Sequence, residues 1–155
     1  MRDNKFITVD RGGMLTEEQH RKIIKWASIC SKHVLSLVKG NIDQRLTLAL
    51  FVAKEWEEGK IATGEARKAS VNAHTIARES SDPVARAVAR SVGHAVATAH
   101  MADHSIGAAL YARRAIKFTG KSEDTERQWQ IEQIPREIKS IIITMMEEKE
   151  KHFKT

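Results

Sequence analysis

Alanine dominates the stretch from Ala62 to Ala115, and only two prolines and eight glycines punctuate the whole 155-residue chain. Alanine has the highest intrinsic helix propensity and loses no side-chain entropy on folding, so such a run constrains the chain to helices that approach one another closely. No segment alternates apolar and polar residues as a half-buried strand would. With 41% hydrophobic residues the chain can fill one core. The sequence therefore predicts an all-α fold, a single-domain bundle of six to seven helices with an Ala-rich, close-packed centre. Residues 1–15 are read as an N-terminal arm, loosely ordered or packed along the bundle, in which Phe6 to Val9 can extend and Gly12-Gly13 separates it from a helical domain over 16–155.

The helix boundaries follow from local chemistry. Thr16-Glu17-Glu18-Gln19 fits a capping box, and Ile23, Ala27, Cys30, Val34 and Leu37 then recur on one face until Gly40-Asn41. A second helix runs from Asp43 to Gly59. Leu46, Ala49, Leu50, Ala53 and Trp56 give it one stripe, and Leu48, Phe51 and Val52 widen that stripe enough to predict a central place in the packing. The third, from Gly64 to Ser80, carries Ala66, Ala69, Ala73 and Ala77, with Val71 and Ile76 beside them. Asp82-Pro83 starts a fourth, and an unbroken helix from there to Phe118 would be about 55 Å long. A break between His100 and Ser105 is therefore expected, with Asp103 or Ser105 capping the next helix. Ser122 opens another, which must stop near Gln133 because Pro135 lacks a donor, and Ile138, Ile141, Ile142 and Met145 form the buried face of the last. Glu147 to Lys151 reads as a solvated end.

Several classes of protein are excluded or disfavoured. Charged residues interrupt every apolar run before it reaches membrane-spanning length, and the region around Asp3, Lys5 and Asp10 has no signal-peptide core, so a cytoplasmic protein without a membrane partner is expected. The single cysteine, Cys30, permits no internal disulfide and lies on a core stripe. The net charge of +6 is concentrated in residues 60–118, where nine Lys and Arg face four Asp and Glu. Arg86, Arg90, Arg113, Arg114 and Lys117 form a candidate basic surface there. Nucleic acid is nonetheless the least favoured partner, because Tyr111 alone would offer a stacking platform.

The segment from Gly93 to Lys117 sets His94, His100 and His104 among alanines. On a continuous helix His100, Asp103 and His104 share a face at a spacing that suits zinc or another divalent metal. His94 would lie about 120° away, unless a break returned it, and His74 on the third helix is positioned to approach. His74, His94, His100, Asp103 and His104 thus form a candidate polar site, metal-binding or enzymatic in one reading. The competing reading, that the imidazoles are hydrogen-bonded core residues, is favoured. The only Glu-x-x-His, at Glu17 and His20, stands alone; no Gly-flanked nucleophile or phosphate loop occurs, and no catalytic residue or cofactor is assigned.

From Asp43 to Pro135 the residues carry a family likeness. The matching elements are Asp43-x-Arg45, Ala53-x-x-Trp56 with Gly59, Ala66-Arg67-x-Ala69, Ala73-His74 and Asp82-Pro83. They continue through Gly93-His94-Ala95, Ala97-Thr98-Ala99-His100, His104-x-x-Gly107-Ala108 and Tyr111-Ala112, and end in Glu126-Arg127-x-Trp129-Gln130 with Ile134-Pro135. In these the chain resembles the "number-five-like" family of putative bacterial immunity proteins, all-helical proteins associated with polymorphic toxins. The resemblance implies a non-catalytic protein that neutralises a cognate protein toxin by occlusion, through an interface of about 800 Å² per partner. It supplies no catalytic residue. A basic chain is an unusual inhibitor of a basic nuclease, which directs attention to the local acidic patch at Glu55, Glu57 and Glu58. A homodimer is a further expectation, from the apolar width of the second helix and the isoleucines of the last.

Overall fold

The structure, a computed structural model, describes residues 4–153; Asp3 and the first residues of the expected arm lie outside them. Seven α-helices form: α1 (Glu17–Val34), α2 (Gln44–Glu57), α3 (Thr63–Glu79), α4 (Pro83–Ala97), α5 (His104–Phe118), α6 (Glu123–Glu132) and α7 (Lys139–Glu150). The described residues hold no strand, only an isolated bridge between Thr8 and Leu15. No helix among them is long and apolar enough to cross a membrane.

The starts are where side-chain chemistry puts them. Thr16 accepts from the Gln19 amide while Gln19 returns a bond to the Thr16 amide, and Asp43, Asp82 and Ser122 each accept from an amide of the turn they cap. At the far ends of α2 and α5, Gly59 and Gly120 take positive φ, as helix termination there requires. The described part of the N-terminal segment packs along the bundle, as one of the two expectations had it. It forms two short 3-10 turns, Asn4–Phe6 and Val9–Arg11, and doubles back so that Phe6 and Leu15 enter the core.

The centre of the bundle is α4, which packs against α1, α2, α3 and α5, and this corrects the expectation that α2 is central. Leu48 and Phe51 on α2 are each 56% exposed and Val71 on α3 is 61% exposed. Apolar character all round a helix measured side-chain size, whereas what admits four neighbours is smallness. Ala87, Val88, Ala89, Ser91, Val92, Gly93, Ala95 and Val96 of α4 are all buried. Serines stitch these close contacts together. Ser91 Oγ donates to the Ala108 carbonyl (2.7 Å) and lies 2.8 Å from Ser31 Oγ, which leaves Ser31 as the donor of that pair; Ser70 donates to the Gly93 carbonyl.

A second core lies on the other side of α1, where Ile23, Trp26 and Cys30 meet Ile106, Ala109, Ile138, Ile142, Met145 and Met146. Trp26 is fully buried, and its indole N–H donates to the Gln130 carbonyl at 2.8 Å. Gln130 in turn donates to the Ala109 carbonyl and accepts from Arg113 Nε. Burial pushes the Cys30 thiol well above the usual range, so it is an inert core group. The end of α7 is not simply solvated: the Glu150 carboxylate accepts from Arg113 (2.7 Å) and Arg127 (2.7 and 3.2 Å). Partial burial raises the Glu150 carboxyl, but the two guanidinium bonds outweigh it and hold it below the ordinary value.

Candidate functional site

The break after α4 overlaps the expected interval but opens earlier, since α4 ends at Ala97 and α5 begins at His104. Its capping differs from expectation. Asp103 sits at the N-cap position without a side-chain cap bond, buried and 3.6 Å from Lys149 Nζ, and Ser105 is buried within the first turn of α5.

Reversal of the chain at this turn returns α5 alongside α4 and brings His104 to His94. Their Nδ1 atoms lie 3.2 Å apart. Across the other face of α4, the His74 ring stands edge-on to His94 with centroids 5.2 Å apart, and Tyr111 of α5 stacks on His94 at 5.3 Å. Three helices thus contribute one row of rings, and two glycines make room for it. A Cβ at Gly93 would lie 2.7 Å from His74 Nε2, and one at Gly107 would lie 2.8 Å from His94 Cγ. His74 and His94 each lie against a glycine of the next helix.

Two imidazoles of the row, His74 and His94, are held uncharged. Burial, and then the Arg90 and Arg78 guanidiniums and His104, push the His74 pKa down to about 4. Burial, followed by His104 and His74, pushes His94 down to about 3. Hydrogen bonding agrees: Arg90 Nη1 donates to His74 Nδ1 at 2.7 Å, which requires an unprotonated nitrogen there. In the short Nδ1 to Nδ1 contact, too, one ring must donate and the other accept.

His100 does not join this row. It sits in the turn after α4, where Arg67 Nη2 reaches its ring at 2.6 Å and Arg11 Nη2 lies 3.5 Å from Nδ1. The expected trio of His100, Asp103 and His104 therefore divides among three neighbourhoods: Arg67, Lys149 and His94. Among the described residues no three His, Cys, Asp or Glu side chains are gathered as a metal ion would require. The expected basic surface also disperses. Arg86 binds the Ser80 carbonyl, Arg90 binds His74, Arg114 lies over the Tyr111 and Phe153 rings, and Lys117 lies 3.8 Å from Glu123. Arg113 is 6% exposed, so it belongs to the interior, where its ion pair with Glu150 and its hydrogen bond to Gln130 make that burial tolerable.

The glycine contacts carry a direct prediction. In Gly107→Ala the new methyl meets the root of the His94 ring, which cannot swing away without moving α4, so overpacking of about 1–3 kcal/mol opposes a propensity gain of about 1 kcal/mol. A net loss of stability is expected in urea denaturation. Gly64→Ala in α3, where nothing lies within 4 Å, is expected to be neutral or stabilising, and equal behaviour of the two variants would refute the packing argument.

One feature has no local signature in the sequence. Thr8, Arg11, His20, Arg21, Trp56, Ala62 and His100 line a cleft of about 730 Å³ between the N-terminal segment, α1, the α2 to α3 connection and the turn after α4. Its walls are gathered from separate regions of the chain, which meet where His20 stands edge-on to Trp56 at 4.7 Å and where Arg11 approaches His100.

A family model described as Imm-5 like putative immunity protein matches residues 13–137. No curated protein and no solved structure matches the chain.

Proposed function

Since the chain belongs to the Imm-5 like immunity family, we propose that it protects its cell by binding a cognate toxin protein and covering a surface the toxin needs. The observation that supports a binding role is the outer face of the α2 and α3 pair. Leu48 and Phe51, three residues apart and therefore neighbours on α2, are both more than half exposed, as is Val71 on α3. Large apolar side chains left in water gain free energy when a partner covers them, and aromatic anchors of this kind dominate interface energetics. Glu55 follows Phe51 by one turn and adds an acidic rim to the apolar patch.

Ile138 and Ile142 of the last helix region, which suggested a second association face, are buried within the chain. The exposed α2 face is thus the better docking surface of the two. Occlusion makes no use of a catalytic group, so neutralisation by this route is stoichiometric. Cells expressing a cognate toxin are expected to survive when the wild-type chain is co-expressed. The double substitution Leu48→Asp and Phe51→Asp is expected to abolish protection while leaving the melting temperature within a few degrees, because both side chains already face water. Protection retained by that variant, or neutralisation at far below one chain per toxin, would overturn the proposal.

A further inference from the structure

The cleft beside Trp56 falls in the size range of small-molecule sites, which is about 300–1,000 Å³. Its charge is uneven. Arg21 is matched by Glu17 one turn earlier on α1, whereas Arg11 and Arg67 have no carboxylate partner among the described residues. These two guanidiniums come from distant parts of the chain, yet both reach the ring of His100 at the edge of the cleft. Like charges brought to one point repel, and an anion lying between them would relieve that repulsion. A phosphate suits the arrangement, because guanidinium forks match its oxygens.

Another part of the lining is aromatic and fixed. Trp56 Nε1 donates to Thr63 Oγ1 at 3.2 Å, and the His20 ring packs edge-on against the indole. His20 is itself buried, and its Nε2 donates to the Thr98 carbonyl, so the wall does not need to order itself when a ligand enters. An aromatic wall with a cationic edge recognises a planar ring carrying a phosphate.

We propose that this cleft binds a phosphorylated planar ring of the nucleoside monophosphate class, with the ring beside Trp56 and the phosphate among Arg11, Arg67 and His100. The site is separate from the α2 face offered to a toxin and stands or falls independently of it.

Isothermal titration of the intact chain with AMP and UMP, one purine and one pyrimidine, tests the proposal, with adenosine and inorganic phosphate as partial ligands. At least one nucleotide is expected to occupy one site per chain, and adenosine and phosphate are each expected to bind at least tenfold more weakly than it. The double variant Arg11→Gln and Arg67→Gln is expected to lose at least tenfold in nucleotide affinity while its weak adenosine binding is unchanged. Both side chains are exposed, so a thermal melt close to wild type should confirm its fold. Three results would overturn the proposal: no heat with either nucleotide at millimolar concentration, inorganic phosphate binding as tightly as the nucleotides, or undiminished affinity in the double variant.

Discussion

Replacing Trp26 by alanine is expected to lower the unfolding free energy by about 3–5 kcal/mol, the range for removing a large aromatic side chain from a packed core. The side chain is fully buried between α1, α5 and the α6 to α7 region, and the cavity left behind has rigid walls of Ile23, Ile106, Ile138 and Met145. The loss has a second part, because the Gln130 carbonyl would be deprived of its indole donor. Trp26→Phe separates the two contributions: it keeps most of the volume but not the hydrogen bond, and a smaller loss of about 1–3 kcal/mol is expected. The pair can be compared by urea denaturation, read by circular dichroism to avoid the lost fluorophore. If Trp26→Ala moved the midpoint no more than an exposed substitution does, the assignment of this residue as the centre of the second core would be wrong.

Acid is expected to destabilise the protein through its row of rings. In the unfolded chain an imidazole takes up a proton near pH 6.5, whereas in the fold His74 and His94 do so only near 4 and 3. The unfolded state therefore binds more protons between those values, so this contribution is complete above pH 6.5 and is lost as pH falls from 6.5 toward the folded values. Glu150 acts in the same direction, because its carboxyl is held below the ordinary value and must be protonated before acid unfolding is complete. Allowing for the partial exposure of the two rings, a loss on the order of 3 kcal/mol is expected between pH 7 and pH 4. Unfolding free energies measured across that interval should show a steep slope in the wild type and a shallower one in the double variant His74→Asn and His94→Asn. Identical slopes would place the acid sensitivity elsewhere.

What was readable in the sequence divides by range. Thr16, Asp43, Asp82 and Ser122 act on amides two or three residues away, and Gly59 and Gly120 on their own backbone, so the helix limits could be read from a few residues at a time. The length argument for a break between α4 and α5 used only the rise of a helix and was likewise sound, although the helix ends at Ala97, ahead of the expected His100. Packing partners were not local. Leu48 and Phe51 count as apolar wherever they point, and nothing in α2 itself says that α4 occupies the centre. The meeting of His94 with His104 depended on which way the chain turned at Thr98, that of His74 with His94 on how α3 packs against α4, and the role of Glu150 on two arginines 37 and 23 residues earlier. The cleft at Trp56 is the extreme case, with Thr8 and His100 on one rim.

The three helices that build the ring row, α3, α4 and α5, follow one another directly in the chain and pack mainly on their immediate neighbours. Joining them closes only short loops, which costs little chain entropy and favours early formation. The core around Trp26 is different, because α1 must meet α5 and α7 across most of the polypeptide. A newly made chain can therefore acquire its small-residue centre before its large-residue core. The ring row belongs to the part that local contacts hold together, and Trp26 to the part that depends on contacts between distant stretches of the chain.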